Sequence, residues 1–274
     1  MWGRSLEKCI TLRELGCARL APSRRTEIKN NVNMWRERTE LLIGKDGVDR
    51  LSSVSVAIVG LGGVGAYAAE MVVRAGVGRV VVLDSDRVVA SNKNRQLLAL
   101  DSSIGRLKTD VMVERLRDIN PELQIDVISE YLTEDNVAVL LDGYCVDYMV
   151  DAIDTLSPKI ALIRYAIERK IPLVSSMGAG AKYDVTKVKI ADISKSFNCP
   201  LAYVLRKKLR KYGINKGFKV VFSEELPDND AIVAIEDRNK RSQVGTISYL
   251  PAMFGIAAAQ TVIVSLLRCE RSEE

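Results

Sequence analysis

The chain has 274 residues, 47% apolar and 27% charged, and 40 Lys+Arg against 35 Asp+Glu leave a formal charge of +5; that suits one large or two small globular domains with a sizeable core and excludes a disordered or fibrous chain. It contains no histidine, which excludes a histidine general base, His-activated nucleophiles and His metal sites. Five cysteines, at 9, 17, 145, 199 and 269, include no CxxC pair, so no paired-cysteine zinc site is expected, and thiols this sparse in a chain this large point to a reducing, cytoplasmic compartment.

Residues 1–33 lack clear periodicity. They carry Arg4, Lys8, Arg13, Arg19, Arg24, Arg25 and Lys29 against Glu7, Glu14 and Glu27, which places +4 of the net charge there. No apolar stretch comes after them, as a secretory signal would require. A basic arm for nucleic acid is one reading; the favoured one is a disordered tail or upstream-start extension, with Met34 as the natural first residue and 34–274 as a single domain.

From Ser53 the pattern is regular. Residues 54–59 read as a buried strand closed by Gly60, 64–75 as a helix, and 79–83 as a second strand ending at Asp84. The amphipathic stretch 108–119 reads as a helix stopped by Asn120-Pro121. Residues 124–128 read as the third strand, and Thr133 as the cap of a helix with Glu134 and Asp135 in its first turn. The fourth strand is expected over 146–150. Ser157 is then expected as an N-cap with Pro158 at the first helical position, in a helix running to Arg169. Residues 172–175 read as the fifth strand. Strands alternating with helices at this spacing predict an α/β fold, a Rossmann-like doubly wound, mostly parallel sheet. Two further strands are expected at 187–193 and 218–222, with a helix from Pro200 to Tyr212 between them. Residues 224–243 read as a polar mobile loop. The stretch 246–268 is long enough to span a bilayer, but Pro251, Gln260, Thr261 and Ser265 interrupt it, and a buried core helix without membrane insertion is the favoured reading.

Gly60, Gly62, Gly63 and Gly65 come directly after the first strand and open a helix. Such glycines permit a tight turn and a close approach of backbone N–H groups to phosphate, and the acid after strand two, Asp84, is placed to hold ribose hydroxyls. Alone this suggests a dinucleotide-binding unit. Residues farther along the chain favour a triphosphate, which needs cations for its charge and a carboxylate for its metal. Arg95 and Lys108 can supply the first, and Asp154 the second. Each has a plainer alternative: Arg95 in a surface ion pair, Lys108 on a solvated helix face, Asp154 as a cap partner of Ser157.

The ordered set Gly60–Gly65, Asp84-Ser-Asp86 through Ser91-Asn92-Lys-Asn94-Arg95-Gln96, Lys108 and Asp154 resembles the ubiquitin-activating-like adenylyltransferase superfamily over residues 34–268. The resemblance implies that the glycine loop and Asp84, with the Asp86, Asn92 and Gln96 positions of the motif, hold ATP. It implies that Arg95 and Lys108 bind the phosphates and that Asp154 binds Mg2+. It also implies a homodimer in which an arginine of an N-terminal helix, best matched by Arg38, completes the partner's site. The missing CxxC pairs and Thr155 after Asp154 separate the chain from sulfur-carrier activators. Three stretches, residues 151–159, 172–180 and 245–251, are instead similar to the tRNA threonylcarbamoyladenosine dehydratase branch. That branch cyclises the modified base with ATP through an acyl-adenylate, with a monovalent cation (Na+ or K+) in some members; a sulfur-relay partner stays open. The alternatives are an adenylyltransferase acting on a sulfur-carrier protein, and a non-catalytic nucleotide- or RNA-binding module.

A tRNA substrate needs its own surface. Leu201, Val204, Leu205, Leu209 and Tyr212 recur at helical spacing as an apolar face, while Arg206, Lys207, Lys208, Arg210 and Lys211 line the rest. A solvated amphipathic helix is the plain reading; a tRNA partner turns the cations into phosphate contacts. Cys199, just before this helix, is a candidate nucleophile, with no base or helix start evident to activate it.

Overall fold

The stretch Ser55–Val59 (β1) carries no charged side chain and every residue in it is buried, the condition of an interior strand covered on both faces. The computed structural model describes residues 34–234 and 242–268; the expected basic tail lies outside them. Six further strands join β1: Arg79–Leu83 (β2), Gln124–Ile128 (β3), Tyr148–Asp151 (β4), Leu173–Ser176 (β5), Val188–Asp192 (β6) and Lys219–Ser223 (β7). They form one sheet in the order β3-β2-β1-β4-β5-β7-β6. All pairs are parallel except β6 with β7. The expected α/β sheet is therefore present, with strand limits within one or two residues of the sequence reading.

Among the described residues seven α-helices accompany it: Glu37–Ser53 (α1), Gly65–Arg74 (α2), Lys108–Ile119 (α3), Val137–Leu141 (α4), Leu156–Glu168 (α5), Pro200–Leu209 (α6) and Tyr249–Arg268 (α7). Strand alternation sends Val56 and Ile58 to one face and Ala57 and Val59 to the other. The first face packs against Ala69 and Val73 of α2, Met112 and Leu116 of α3, and Phe254, Ala258 and Val262 of α7. The second packs against Leu141, Leu162, Ala166, Leu205 and Leu209. The long apolar stretch is thus the core helix expected. A Cβ on Gly255 would lie 2.3 Å from the Val64 carbonyl oxygen, so α7 meets the start of α2 with only a hydrogen between them.

The structure corrects four local expectations. The N-cap of α5 is Thr155, not Ser157, so Pro158 is the third helical residue. Both hydroxyl residues can cap, and Pro is tolerated throughout a first turn, where no intrahelical N–H bond is lost. The helix expected from Thr133 begins instead at Val137, because Thr133 and Asn136 hydrogen-bond each other's backbone in a turn of their own. Of the expected loop 224–243, Glu225 accepts the N–H groups of Tyr183 and Asp184, and Ile232–Ala234 (β8) pairs with Ser242–Val244 (β9); residues 235–241 lie outside the described set. On α6 the buried residues are Ala202, Leu205 and Leu209, whereas Val204 and Tyr212 are exposed.

Candidate active site

The strand order reverses at β1, with β2 and β3 to one side and β4 and β5 to the other, which opens a crevice at the carboxyl ends of β1 and β4. The glycine loop occupies it. Gly60 takes a positive φ of 92° and donates its N–H to the Leu83 carbonyl at 2.7 Å. A Cβ on Gly65 would fall 1.7 Å from the Gly60 oxygen, so the loop folds back on itself in a way that admits no side chain. Gly62 is the open position, and Gly63 lies against Pro251 and the Arg95 carbonyl. The first turn of α2 holds no acidic residue, which leaves the positive end of its dipole available to an anion.

Asp84 is buried behind this loop. One carboxylate oxygen accepts the Leu61 N–H at 2.6 Å and the other the Asp86 N–H at 2.8 Å. Lys108 reaches the same place because residues 86–88 pair with residues 105–108: Val88 donates to Arg106, Gly105 to Val88 and Lys108 to Asp86, backbone to backbone. Its ammonium lies 2.7 Å from the Asp86 carboxylate and 3.9 Å from that of Asp84, and the side chain is buried. The solvated-face reading of Lys108 is thereby excluded. Burial pushes the Asp84 carboxyl above its ordinary range, against the pull of Lys108 and the two N–H donors.

The segment 91–96 forms the opposite wall. Asn92 is buried and structural: its side-chain oxygen accepts the Val89 N–H, and its carbonyl accepts those of Arg95 and Gln96. Gln96 lies beside Gly62. The Arg95 guanidinium donates to the Ser91 carbonyl and the Asn94 side chain and pairs with no carboxylate among the described residues, so the ion-pair alternative fails there. Asn94 in turn donates to the Thr246 carbonyl, and Ala181 donates its N–H to Gly245. Segments distant in sequence thus meet at the same edge.

Asp154 is exposed in the loop after β4, whose Ala152 carbonyl stands 2.9 Å from where a Gly60 Cβ would be. The loop is anchored by a pair the sequence reading missed. Lys159, fully buried, lies 2.8 Å from the Asp151 carboxylate and donates to the Ile153 carbonyl. Asp151 also accepts from Ser175 and the Ile153 N–H. The sequence offers only a weak signal, a Lys in the first turn of a helix that also carries Arg164 and Glu168, eight residues after an acid that ends a buried strand. Among the described residues no three or more Cys, Asp or Glu side chains gather as a metal cage. Mg2+ needs none, since it takes one or two carboxylates with nucleotide phosphates and water, and Asp154 at this place fits that role.

Cys199 is buried and is the N-cap of α6, so a helix start does adjoin it, contrary to expectation. Nearby, the buried Lys182 donates to the Asn198 and Ser223 carbonyls; burial lowers its pKa while Cys199 and Glu225 act the other way. Arg38 is exposed at the start of α1 and forms no ion pair among the described residues. Of the basic helix, Lys207, Lys208, Arg210 and Lys211 are exposed, whereas Arg206 is half-buried and tied to the carbonyl and hydroxyl of Ser196.

Residues 36–274 match the family model described as ThiF family. The chain belongs to the ThiF family. Among ThiF-family relatives, the tRNA threonylcarbamoyladenosine dehydratase of Bacillus subtilis is 42% identical over 243 residues, covering 84% of this chain and 94% of that protein. The Escherichia coli protein of the same name is 37% identical over 255 residues, 85% and 94% of the two chains. A crystal structure of E. coli tRNA N6-threonylcarbamoyladenosine dehydratase, TcdA, in complex with ATP superimposes with a TM-score of 0.80 at 34% identity, over 88% of this chain and 98% of that one.

Proposed function

We propose that this ThiF-family protein is an ATP-dependent tRNA threonylcarbamoyladenosine dehydratase, which works in the cytoplasm as a homodimer and closes a ring on the modified base through an acyl-adenylate. One observation carries the ATP half: a buried cation, Lys108, joined through Asp84 to the N–H of the glycine loop. The likeness to dehydratases over almost their whole length supports the tRNA half.

The chemistry suits a chain without histidine. The threonyl carboxylate is ionised at neutral pH, with a pKa of about 4 by analogy with Asp and Glu, and attacks the α-phosphate without a general base. Pyrophosphate leaves. The carbamoyl group of the same side chain then attacks the activated carbonyl, AMP departs and a proton goes to solvent, so that the net loss is water. Both reacting ends belong to one side chain, which makes ring closure intramolecular. Asp84 orients the ribose, while Lys108, Arg95 and the N–H groups opening α2 face the phosphates, where negative charge develops. Mg2+ on Asp154 would neutralise phosphate charge. Neither a monovalent cation nor a sulfur-relay partner is required by these steps.

The homodimer is supported by apolar surface. On α1, Leu41 and Leu42 are each 84% exposed, and α7, which packs against α1, exposes Tyr249 and Ile256. A second copy would cover them and bring Arg38 toward the other site.

The test is direct. Protein, ATP, Mg2+ and tRNA carrying threonylcarbamoyladenosine are incubated, and mass spectrometry of the digested nucleosides should show loss of water. Lys108→Ala and Asp154→Ala should each lower tRNA-dependent pyrophosphate release about 100-fold or more. Wild-type turnover in either variant would mean the ATP site is misplaced.

A further inference from the structure

Helix α6 carries a surface that the ATP chemistry does not use. Tyr203, Arg206, Lys207 and Arg210 stand at i, i+3, i+4 and i+7, on one face, and together line a cavity of about 250 Å³. The opposite face is locked into the core by Ala202, Leu205 and Leu209, so the stripe is held rigidly. Tyr203 is 63% exposed, and no aromatic ring or guanidinium among the described residues packs on it. Arg206 is held by Ser196. Lys207, Lys208, Arg210 and Lys211 pair with no carboxylate among the described residues. Tyr212, just past the end of α6, differs: the Arg164 guanidinium covers it at 3.9 Å.

We infer that this stripe seats one single-stranded nucleotide of the tRNA, its base stacked on Tyr203 and its flanking phosphates on Lys207 and Arg210; the inference rests on the reading of tRNA as substrate. The occupant is identified by three properties. Unpaired cations in a row ask for an anion with repeated charge, which a polynucleotide has. An open aromatic face among them offers stacking, which only a base splayed out of a helix can accept. The hollow, about 250 Å³ and open to solvent, cannot enclose a free small molecule and suits one group of a larger ligand. Position agrees as well. Cys199 and Leu201, which open α6, adjoin Gly178 in the loop after β5, so α6 starts at the carboxyl edge of the sheet. Tyr203 is about one turn, roughly 5 Å, farther along. The carboxyl edge is the edge of the sheet at which the ATP crevice opens.

Fluorescence anisotropy tests this with two probes, native tRNA bearing the modified base and a fully paired RNA duplex. Tyr203→Ala should lose about 5- to 100-fold in affinity for the tRNA, Tyr203→Phe should bind like wild type, and neither should change duplex affinity or ATP affinity. Unchanged ATP affinity and circular dichroism would show the fold intact. If wild type binds tRNA and Tyr203→Ala binds it equally well, or loses tRNA and duplex alike, the stacking site is wrong while the dehydratase reading stands. If wild type binds ATP but no tRNA, both fail. Phosphatidylglycerol vesicles form the third arm: binding to them that Tyr203→Ala abolishes, with tRNA affinity unmoved, would overturn the inference in favour of a membrane surface.

Discussion

Lys159 and Asp151 form an ion pair with both side chains fully buried, and its purpose is local: it fixes the loop that carries Asp154. Removing one partner strands the other charge without water. Lys159→Met should therefore cost about 3–5 kcal/mol in urea unfolding, and pairing it with Asp151→Leu should recover a large part. At Asp84, burial outweighs the cationic neighbour and raises the pKa. A carboxyl with a raised pKa takes up its proton at a higher pH than a free one. Once neutral, it attracts Lys108 less and accepts ribose hydroxyls more weakly. Calorimetric ATP affinity should thus fall on acidification before ordinary carboxylates titrate, and Asp84→Asn should bind ATP more weakly with that acid limb flattened. A limb of equal size in the variant would assign it to another group. Residues of this kind differ in legibility. Asp84 and Lys108 stand in a motif, whereas Lys159 looks like a solvated helix residue until the fold buries it beside Asp151.

The interior strands are legible because burial on two faces demands unbroken apolar runs, as in Ser55–Val59, and the crevice results from their alternation with helices. Legibility fails where two local choices are close in energy. Thr155 and Ser157 both cap well, and only the path out of β4 selects the first. Helix α1 hides its nature behind Gly44, whose φ of 76° interrupts it, and behind Leu41 and Leu42, which face outward. The apolar face of α6 is drawn too wide from spacing alone, because Val204 and Tyr212 fall outside the arc that meets the core. That arc decides what the helix can contact. With Ala202, Leu205 and Leu209 inward, reversing Lys207, Lys208 and Lys211 to Glu changes only the outer charge. The triple variant should bind tRNA more weakly, with a shallower dependence on salt, and keep its ATP affinity. A salt slope equal to wild type would make these lysines ordinary solvated residues.

As a whole molecule, the proposed enzyme needs two copies if Arg38 acts on the partner's ATP. An arginine supplied from outside places positive charge where phosphate charge grows. Arg38→Ala and Lys108→Ala homodimers should each be nearly inactive, yet mixing them should restore up to about half the activity per heterodimer. One site then carries both defects and the other neither; failure to recover would place Arg38 in cis. The contact between Gly255 and Val64 has a different reach, in time. The glycine loop is made early by the ribosome, but the helix that braces the start of α2 from behind arrives about 190 residues later. At 5–20 residues per second the nascent chain spends about 10–40 s with the apolar flank of α2 uncovered. A ribosome stalled before α7 would hold a chain whose glycine loop is complete but whose α2 lacks the helix that braces its start.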